Sequence, residues 1–274
     1  LNLLIITKKH YMKKNHKESY FDFGNQFKID KKIDGYHGSK KMLEDIVNPF
    51  NLNQIQNKLI MEVGSGSGRI LKNLIKYRPK KIFGIEPSNA IKIAKKNVGN
   101  SSKIKFFNIK GEDIEEKEKF DFVFSLGVIH HIPNYQKVCS NIFNSLKKNG
   151  QFVCWVYGYE GNEIYIFIFD NLRRFTILLP DFVLRLICNI FNLVLYPYIF
   201  CCKFLDLPMK SYLLKVFSKC SYQKRNYIIF DQLNPSFSKY FRKKEIFEVM
   251  KKSGFKKIKI YRRHNYSWTI ISQK

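Results

Sequence analysis

The stretch Lys58-Leu59-Ile60-Met61-Glu62-Val63-Gly64-Ser65-Gly66-Ser67-Gly68-Arg69 decides how this chain is read. Its first half is a short apolar run of strand length, and its second half alternates Gly with Ser. A helical stretch, Arg69 to Tyr77, follows. Glycine lets the backbone turn sharply and approach a ligand with no Cβ in the way. The start of the helix adds N–H groups that have no partner within it. The spacing is Gly-x-Gly-x-Gly, and Arg69 stands where a dinucleotide fingerprint needs its last Gly. Glu62 lies two residues before the first Gly. A carboxylate there repels a pyrophosphate and suits an ammonium group. The pattern points to a nucleoside carrying a cationic amino acid. Glu86 ends the next apolar run, roughly 20 residues on, where a carboxylate can take both ribose hydroxyls.

Outward from this stretch the chain alternates short apolar strands with helices. Strands are expected at Lys58–Val63, Lys80–Glu86, Lys103–Ile109, Phe120–Ser125 and Gln151–Tyr157. Helices are expected from Pro87-Ser88 through Lys96 and from Asn134 to Lys148, the latter closed by Asn149-Gly150. Upstream, Ser39 is placed to cap a helix from Lys40 to Val47. Such alternation specifies βαβ units and an open parallel sheet covered on both faces. It breaks after Tyr159, where residues 163 to about 220 are apolar, aromatic and helical in length. It resumes with a helix over Lys243–Ser253 that Gly254 stops, then strands Phe255–Arg262 and Tyr266–Ser272, close enough to pair antiparallel.

With these motifs in place, the chain resembles the class I S-adenosylmethionine-dependent methyltransferases of small-molecule type, similar to the type 11 and type 12 methyltransferases. Glu62 to Gly68 resembles the family's first motif, so Glu62, Gly64, Ser65, Gly66 and Gly68 are implied cofactor contacts. Glu86, with Pro87, matches the ribose-binding acid. Asp113, in Lys110-Gly111-Glu112-Asp113-Ile114, matches the acid beside the adenine, with Ile114 next to it and Glu112 as a competitor. Phe120 to Ser125 matches the fourth-strand motif, which places Ser125 and Leu126 on the cofactor edge and makes Asp121 structural. The resemblance covers roughly 55–160 and 243–274. It implies an α/β fold with a Rossmann-like, doubly wound, mostly parallel seven-stranded sheet, an antiparallel final strand and a helical insert after the fifth strand. The implied cofactor is S-adenosyl-L-methionine. The implied division is an extension with a possible cofactor lid at 1–50, a cofactor-binding core at 51–162, an apolar insert at 163–235 and a completing segment at 236–274.

Methyl transfer is an in-line displacement, so the protein aligns a nucleophile and can remove its proton. The run Leu126-Gly127-Val128-Ile129-His130-His131-Ile132-Pro133 is similar to the segment with paired histidines in many small-molecule methyltransferases, quinone-biosynthesis types included. It puts His130 and His131 at the switch point of the sheet. Imidazole has a pKa suited to a general base, and His131 is the favoured candidate. Tyr157, Tyr159, Glu160 and Asn162 follow the fifth strand toward the same mouth, with Tyr157 the third catalytic candidate. His37 with Tyr36 fits a surface turn better than a lid, and Asp231 fits a turn or cap better than a substrate contact.

Composition bears on partners. Lys and Arg number 49 against 22 Asp and Glu, a net charge of +27. Only nine of the 49 are Arg, the bidentate reader of phosphate and guanine. Lys, Asn, Ile, Phe and Tyr are all abundant and share AT-rich codons, so a genome-wide bias explains the charge better than a nucleic-acid surface. No Asn/Asp-Pro-Pro-aromatic or Pro-Cys motif of nucleic-acid methyltransferases occurs at the matching place. RNA methylation is the competing reading, and a non-catalytic, membrane-associated cofactor-binding module is a third. The six cysteines form no Cys-x-x-Cys pair, so no metal is expected. They read as buried, reduced thiols of a cytoplasmic protein. No signal peptide is expected, and residues 1–11, upstream of Met12, read as an extension of little structural value. Leu186 to Cys202 carries no charge over 17 residues, at the lower limit for a span. Pro197, Asn189 and Asn192 argue against a span and for a lid over a bulky or lipid-linked acceptor, with peripheral membrane contact as a further expectation.

Overall fold

The computed structural model describes residues 20–29 and 35–274, so the expectation for residues 1–11 lies outside the described residues. Seven strands form one sheet: β1 (Leu59–Val63), β2 (Lys81–Ile85), β3 (Ile104–Phe107), β4 (Phe120–Leu126), β5 (Leu146–Tyr157), β6 (Lys256–Arg263) and β7 (Ser267–Gln273). Their spatial order is β3-β2-β1-β4-β5-β7-β6. The β1–β2, β2–β3, β1–β4 and β4–β5 pairs are parallel, and β7 is antiparallel to both β5 and β6. The order reverses between β1 and β4, which opens a crevice beyond the carboxyl ends of those strands.

Helices cover both faces, which is why β1 and β4 are apolar along their length rather than alternating. α1 (Tyr20–Ile29) packs on α4 (Ala90–Val98) over the carboxyl ends of the strands, and α2 (Lys40–Val47) and α3 (Arg69–Leu74) bury one face of the sheet. Leu43, Ile46, Leu71 and Leu74 pack there against Ile60, Phe124 and Val153. The other face meets α5 (Tyr135–Ser145) and α10 (Lys243–Lys252), through Val138, Ile142, Ile246 and Met250. Ser39 caps α2 as expected, its Oγ accepting from the Met42 amide at 3.1 Å. α2 is also tied to the last hairpin. Asp45 accepts from Arg263 and sits 2.9 Å from His264 Nε2, and Thr269 Oγ1 donates to the Ile46 carbonyl at 2.7 Å.

The helix from Arg69 runs through Tyr77 as expected, tightening into a 3₁₀ turn over Ile75–Tyr77, and ends at Arg78, whose φ is +54°. One local expectation changes. The helix expected through Lys148 stops at Ser145, and β5 begins at Leu146. Leu146 is fully buried and pairs with Phe120, while the next pair is Phe122 with Gln151. Lys147 to Gly150 therefore loop out as a bulge, because burying Leu146 beside Phe120 outweighs another half-turn of helix.

The insert consists of α6 (Glu163–Thr176), α7 (Asp181–Cys201), α8 (Lys210–Lys215) and α9 (Tyr222–Leu233). Leu184, Cys188, Ile229, Phe230 and Leu233 form its own apolar core. Buried Arg173 joins α6 to α9, donating to the Gln232 carbonyl at 3.0 Å and to Asp170 at 3.1 Å. Asn192 joins α7 to α9, donating to the Tyr222 carbonyl at 3.1 Å and to Asn226 Oδ1 at 2.7 Å. Five cysteines are buried, but Cys201, at the end of α7, is exposed, contrary to the expectation of uniformly buried thiols.

Candidate active site

The carboxyl ends of β1, β2, β4 and β5, together with α1 and the insert, enclose a cavity of about 640 Å³. One end is lined by Glu62, Gly64, Gly66, Glu86, Pro87 and Glu112, and the other by Tyr165, Phe169, Phe191, Leu195, Tyr212 and Phe217.

The glycine turn owes its shape to two tight approaches. Gly64 has φ +80° and Gly66 has φ +50°. A Cβ on Gly64 would lie 2.4 Å from Val128, and one on Gly66 would lie 2.9 Å from the Phe27 ring of α1. Glu86 braces the turn: Oε2 accepts from the Gly66 amide at 2.7 Å, and Oε1 accepts from the Ser88 amide and hydroxyl at 2.9 and 2.6 Å. Burial raises the Glu86 pKa, and those bonds oppose the rise. Glu62 has less support, from Ser65 and from the charge of Arg69. It is buried, its Oε2 has no hydrogen-bond partner, and burial pushes its carboxyl up to about 8. An orphaned buried carboxylate oxygen is costly. A cation entering beside it would remove that cost.

Ser65 and Leu126 also line the cavity. Four expected cofactor residues stand elsewhere. Gly68 lies outside the wall, and its φ of +82° serves close packing of α3 on α4, since a Cβ would meet Ala94 Cα at 3.0 Å. Ser125 is fully buried and donates to the Val63 carbonyl at 3.2 Å, joining β4 to β1. Asp113 is exposed and Ile114 packs in the core, whereas Glu112 lines the cavity. Asn141 fixes that 3₁₀ turn by donating to the Gly111 and Glu112 carbonyls at 3.2 and 2.7 Å, which leaves Asp113 on the outside.

The catalytic candidates separate as well. His131 lines the cavity, and its Nδ1 lies 3.1 Å from the Phe237 carbonyl. A carbonyl only accepts, so the proton sits on Nδ1 and Nε2 keeps its lone pair. Burial pushes the imidazole down to about 4, so it is neutral at pH 7. His130 does not reach the cavity: it is fully buried, both ring nitrogens lack partners, and it packs 3.9 Å from the Tyr157 ring. Tyr157 lines the cavity and its hydroxyl accepts from Gln232 Nε2 at 2.8 Å. Burial drives its pKa far up, so it remains a phenol.

Other polar residues reach the wall. Asn162 lines it, whereas Tyr159 carries Arg242 over its ring and Glu160 accepts from the Lys243 amide. His37 and Asp231, read from sequence as turn residues, both line it, and burial pushes Asp231 up to about 7. Arg69 lines it too and donates to the His37 carbonyl at 3.2 Å. Phe23 lies 4.6 Å from the His131 ring. Arg69 was detectable as the residue that breaks the dinucleotide spacing. Phe23 and Phe27 belong to no motif.

Residues 61–154 match a family model described as a methyltransferase domain. That stretch is a methyltransferase domain of the S-adenosylmethionine-dependent kind. A tRNA U34 carboxymethyltransferase of Campylobacter jejuni is 28% identical to this methyltransferase over 127 residues, 45% of this chain and 43% of the relative. One from Pseudoalteromonas atlantica is 26% identical over 116 residues, 41% of this chain and 36% of the relative. The chain thus aligns with less than half the length of these curated relatives. Two solved structures share the fold. One is a Listeria monocytogenes protein assigned as an S-adenosylmethionine dependent methyltransferase, with TM-score 0.52, 16% identity, and 86% of this chain and 98% of that one covered. The other is human N-acetylserotonin methyltransferase in complex with SAM, with TM-score 0.51, 12% identity, and 84% of this chain and 51% of that one covered.

Proposed function

We propose that this methyltransferase methylates an oxygen or nitrogen of a bulky, apolar, lipid- or carrier-linked acceptor. One observation carries the reading: a single cavity joins the carboxylate-lined glycine turn to an aromatic, apolar chamber under the insert. When bound, S-adenosylmethionine supplies a methyl group on a sulfonium, a leaving group that needs no further activation. The residues present fit it. Glu62 Oε2 is free to take the ammonium of the methionine part; Glu86 would take the ribose diol, and Glu112, which lines the same end of the cavity, would face the adenine. Gly66 leaves no room for a Cβ, which would lie 2.9 Å from the Phe27 ring.

His131 and Tyr157 both line the span between the two ends. Neutral His131 offers Nε2 to an O–H or N–H of the acceptor and holds it in line. So weak a base takes the proton only as the new bond forms. Tyr157 adds a hydroxyl held by Gln232. The apolar wall of the insert excludes water.

The second reading, RNA methylation, draws on the relatives named tRNA U34 carboxymethyltransferase. The chamber under α6 to α9 favours an apolar acceptor over a polyanion. Radiolabelled S-adenosylmethionine offered with a bacterial lipid extract and with total RNA tests the choice. Label entering the organic phase is expected. Label entering RNA would overturn the acceptor assignment, and cofactor binding with no label in either would favour a non-catalytic module.

A further inference from the structure

We infer that the outer face of α6 and α7 docks on an anionic lipid monolayer and opens the acceptor chamber toward it. Fourteen of the fifteen large apolar side chains exposed among the described residues lie between Ile164 and Leu205. On α6 and its end they are Ile164, Phe167, Ile168, Phe175 and Leu178, in steps of three, one, seven and three residues, which keep to one side of a helix and make one stripe. On α7 the stripe runs through Phe182, Leu186, Ile190, Leu193 and Phe200. Phe182 is 76% exposed and Phe167 is 72% exposed. A patch of this kind marks an interaction surface.

Three observations select a bilayer surface as the occupant. First, Ile164, Ile168 and Val194 are exposed on this face and also line the cavity, so its mouth lies within the patch. A second copy seated there would seal the chamber. Second, the chain carries +27, so two copies repel each other and an anionic lipid surface attracts either one. Within residues 160–210 the charges balance: Arg173, Arg174, Arg185, Lys203 and Lys210 against Glu160, Glu163, Asp170, Asp181 and Asp206. The attraction therefore comes from the rest of the chain, and the apolar stripes set the orientation. Exposed Arg174 and Lys203 sit beside Phe175 and Phe204, at headgroup height once those rings insert. Third, α7 has the length and apolarity to cross a membrane, yet its inner side is bonded to α9 through Asn192. It fits a helix lying on the membrane rather than crossing it. Lateral entry of the acceptor through this mouth rests on the acceptor class proposed above. The docking itself does not.

The test is flotation of the full chain with vesicles of equal parts phosphatidylglycerol and phosphatidylcholine, and with phosphatidylcholine alone. The protein should float with the mixed vesicles. Phe182→Asp and Phe167→Asp should each weaken partitioning about tenfold, because an inserted Phe is worth more than a factor of ten. Both positions lie outside the cavity wall, so S-adenosylmethionine affinity by calorimetry should be unchanged and shows that the variants fold. Absence of flotation by the wild type would overturn the inference. So would a wild-type dimer in light scattering that Phe182→Asp splits into monomers. Flotation with label still absent from lipids would keep the docking and refute the acceptor.

Discussion

Glu62→Gln separates stability from cofactor binding and gives them opposite signs. Burial pushes the Glu62 carboxyl up to about 8, against an ordinary 4.5 in the unfolded chain. Between those values the folded state keeps a proton that the unfolded chain has released, so stability falls as pH rises. The contribution is fully present below about pH 4.5 and lost through about pH 8. The gap amounts to about 5 kcal/mol, comparable to the stability of a whole domain. The cofactor-free protein should therefore melt progressively lower toward pH 9, and Glu62→Gln should flatten that profile. Binding should behave in the opposite way. At pH 7 the free Glu62 carboxyl is about nine-tenths protonated, and an ammonium arriving beside it drives the proton off. The cofactor's own α-amino group, ordinarily near 7.7–8.0, is mostly charged already and takes up a small fraction. Calorimetry in buffers of different ionisation enthalpy should find a net release of about 0.8 proton per S-adenosylmethionine bound. In Glu62→Gln the release should vanish, and affinity should fall about 10- to 100-fold with the loss of a charge-assisted bond. An unchanged proton count in the variant would refute the assignment of Glu62 to the ammonium.

Gly64→Ala forces φ +80° on an L-residue and sets a methyl 2.4 Å from Val128, so thermal unfolding should show a loss of at least about 2 kcal/mol. His131 is neutral down to about pH 4, so kcat should show no His131 ionisation between pH 6 and 8 and should fall below about pH 5; His131→Ala should lower kcat about 100-fold with cofactor affinity intact. Glu112→Ala should weaken S-adenosylmethionine binding in calorimetry while Asp113→Ala leaves it unchanged. Asp45 is held down to about 2 by its bonds to His264 and Arg263, against its burial, so it stabilises the fold above about pH 4 and that gain fades as pH falls toward 2; Asp45→Asn should remove this slope from acid unfolding curves.

The strands, the glycine turn and the two acids at Glu62 and Glu86 were legible because local rules govern them. Periodicity marks strands, and a positive φ demands Gly. The choice of Glu112 over Asp113 was not legible, since adjacent acids differ only in which way a 3₁₀ turn aims them, and Asn141 on α5 settles that. The same holds for His131 over His130. Adjacent histidines have equal chemistry in sequence, and only the Phe237 carbonyl and the packing on Tyr157 tell them apart. The end of α5 was misplaced because Leu146 satisfies a helix or a strand locally, and its buried partner Phe120 is distant in sequence.

By itself, then, the sequence determined an α/β methyltransferase core and the cofactor end of its site, because a strand, a turn and a helix N-terminus adjacent along the chain build that end. Tertiary structure decided the aromatic end of the cavity, where α1, β5 and the insert converge from positions up to about 200 residues apart. It also decided the meaning of the uncharged run from Leu186 to Cys202. Hydropathy records how apolar such a helix is, and only packing shows that Asn192 faces inward while Phe182, Leu186 and Phe200 face out.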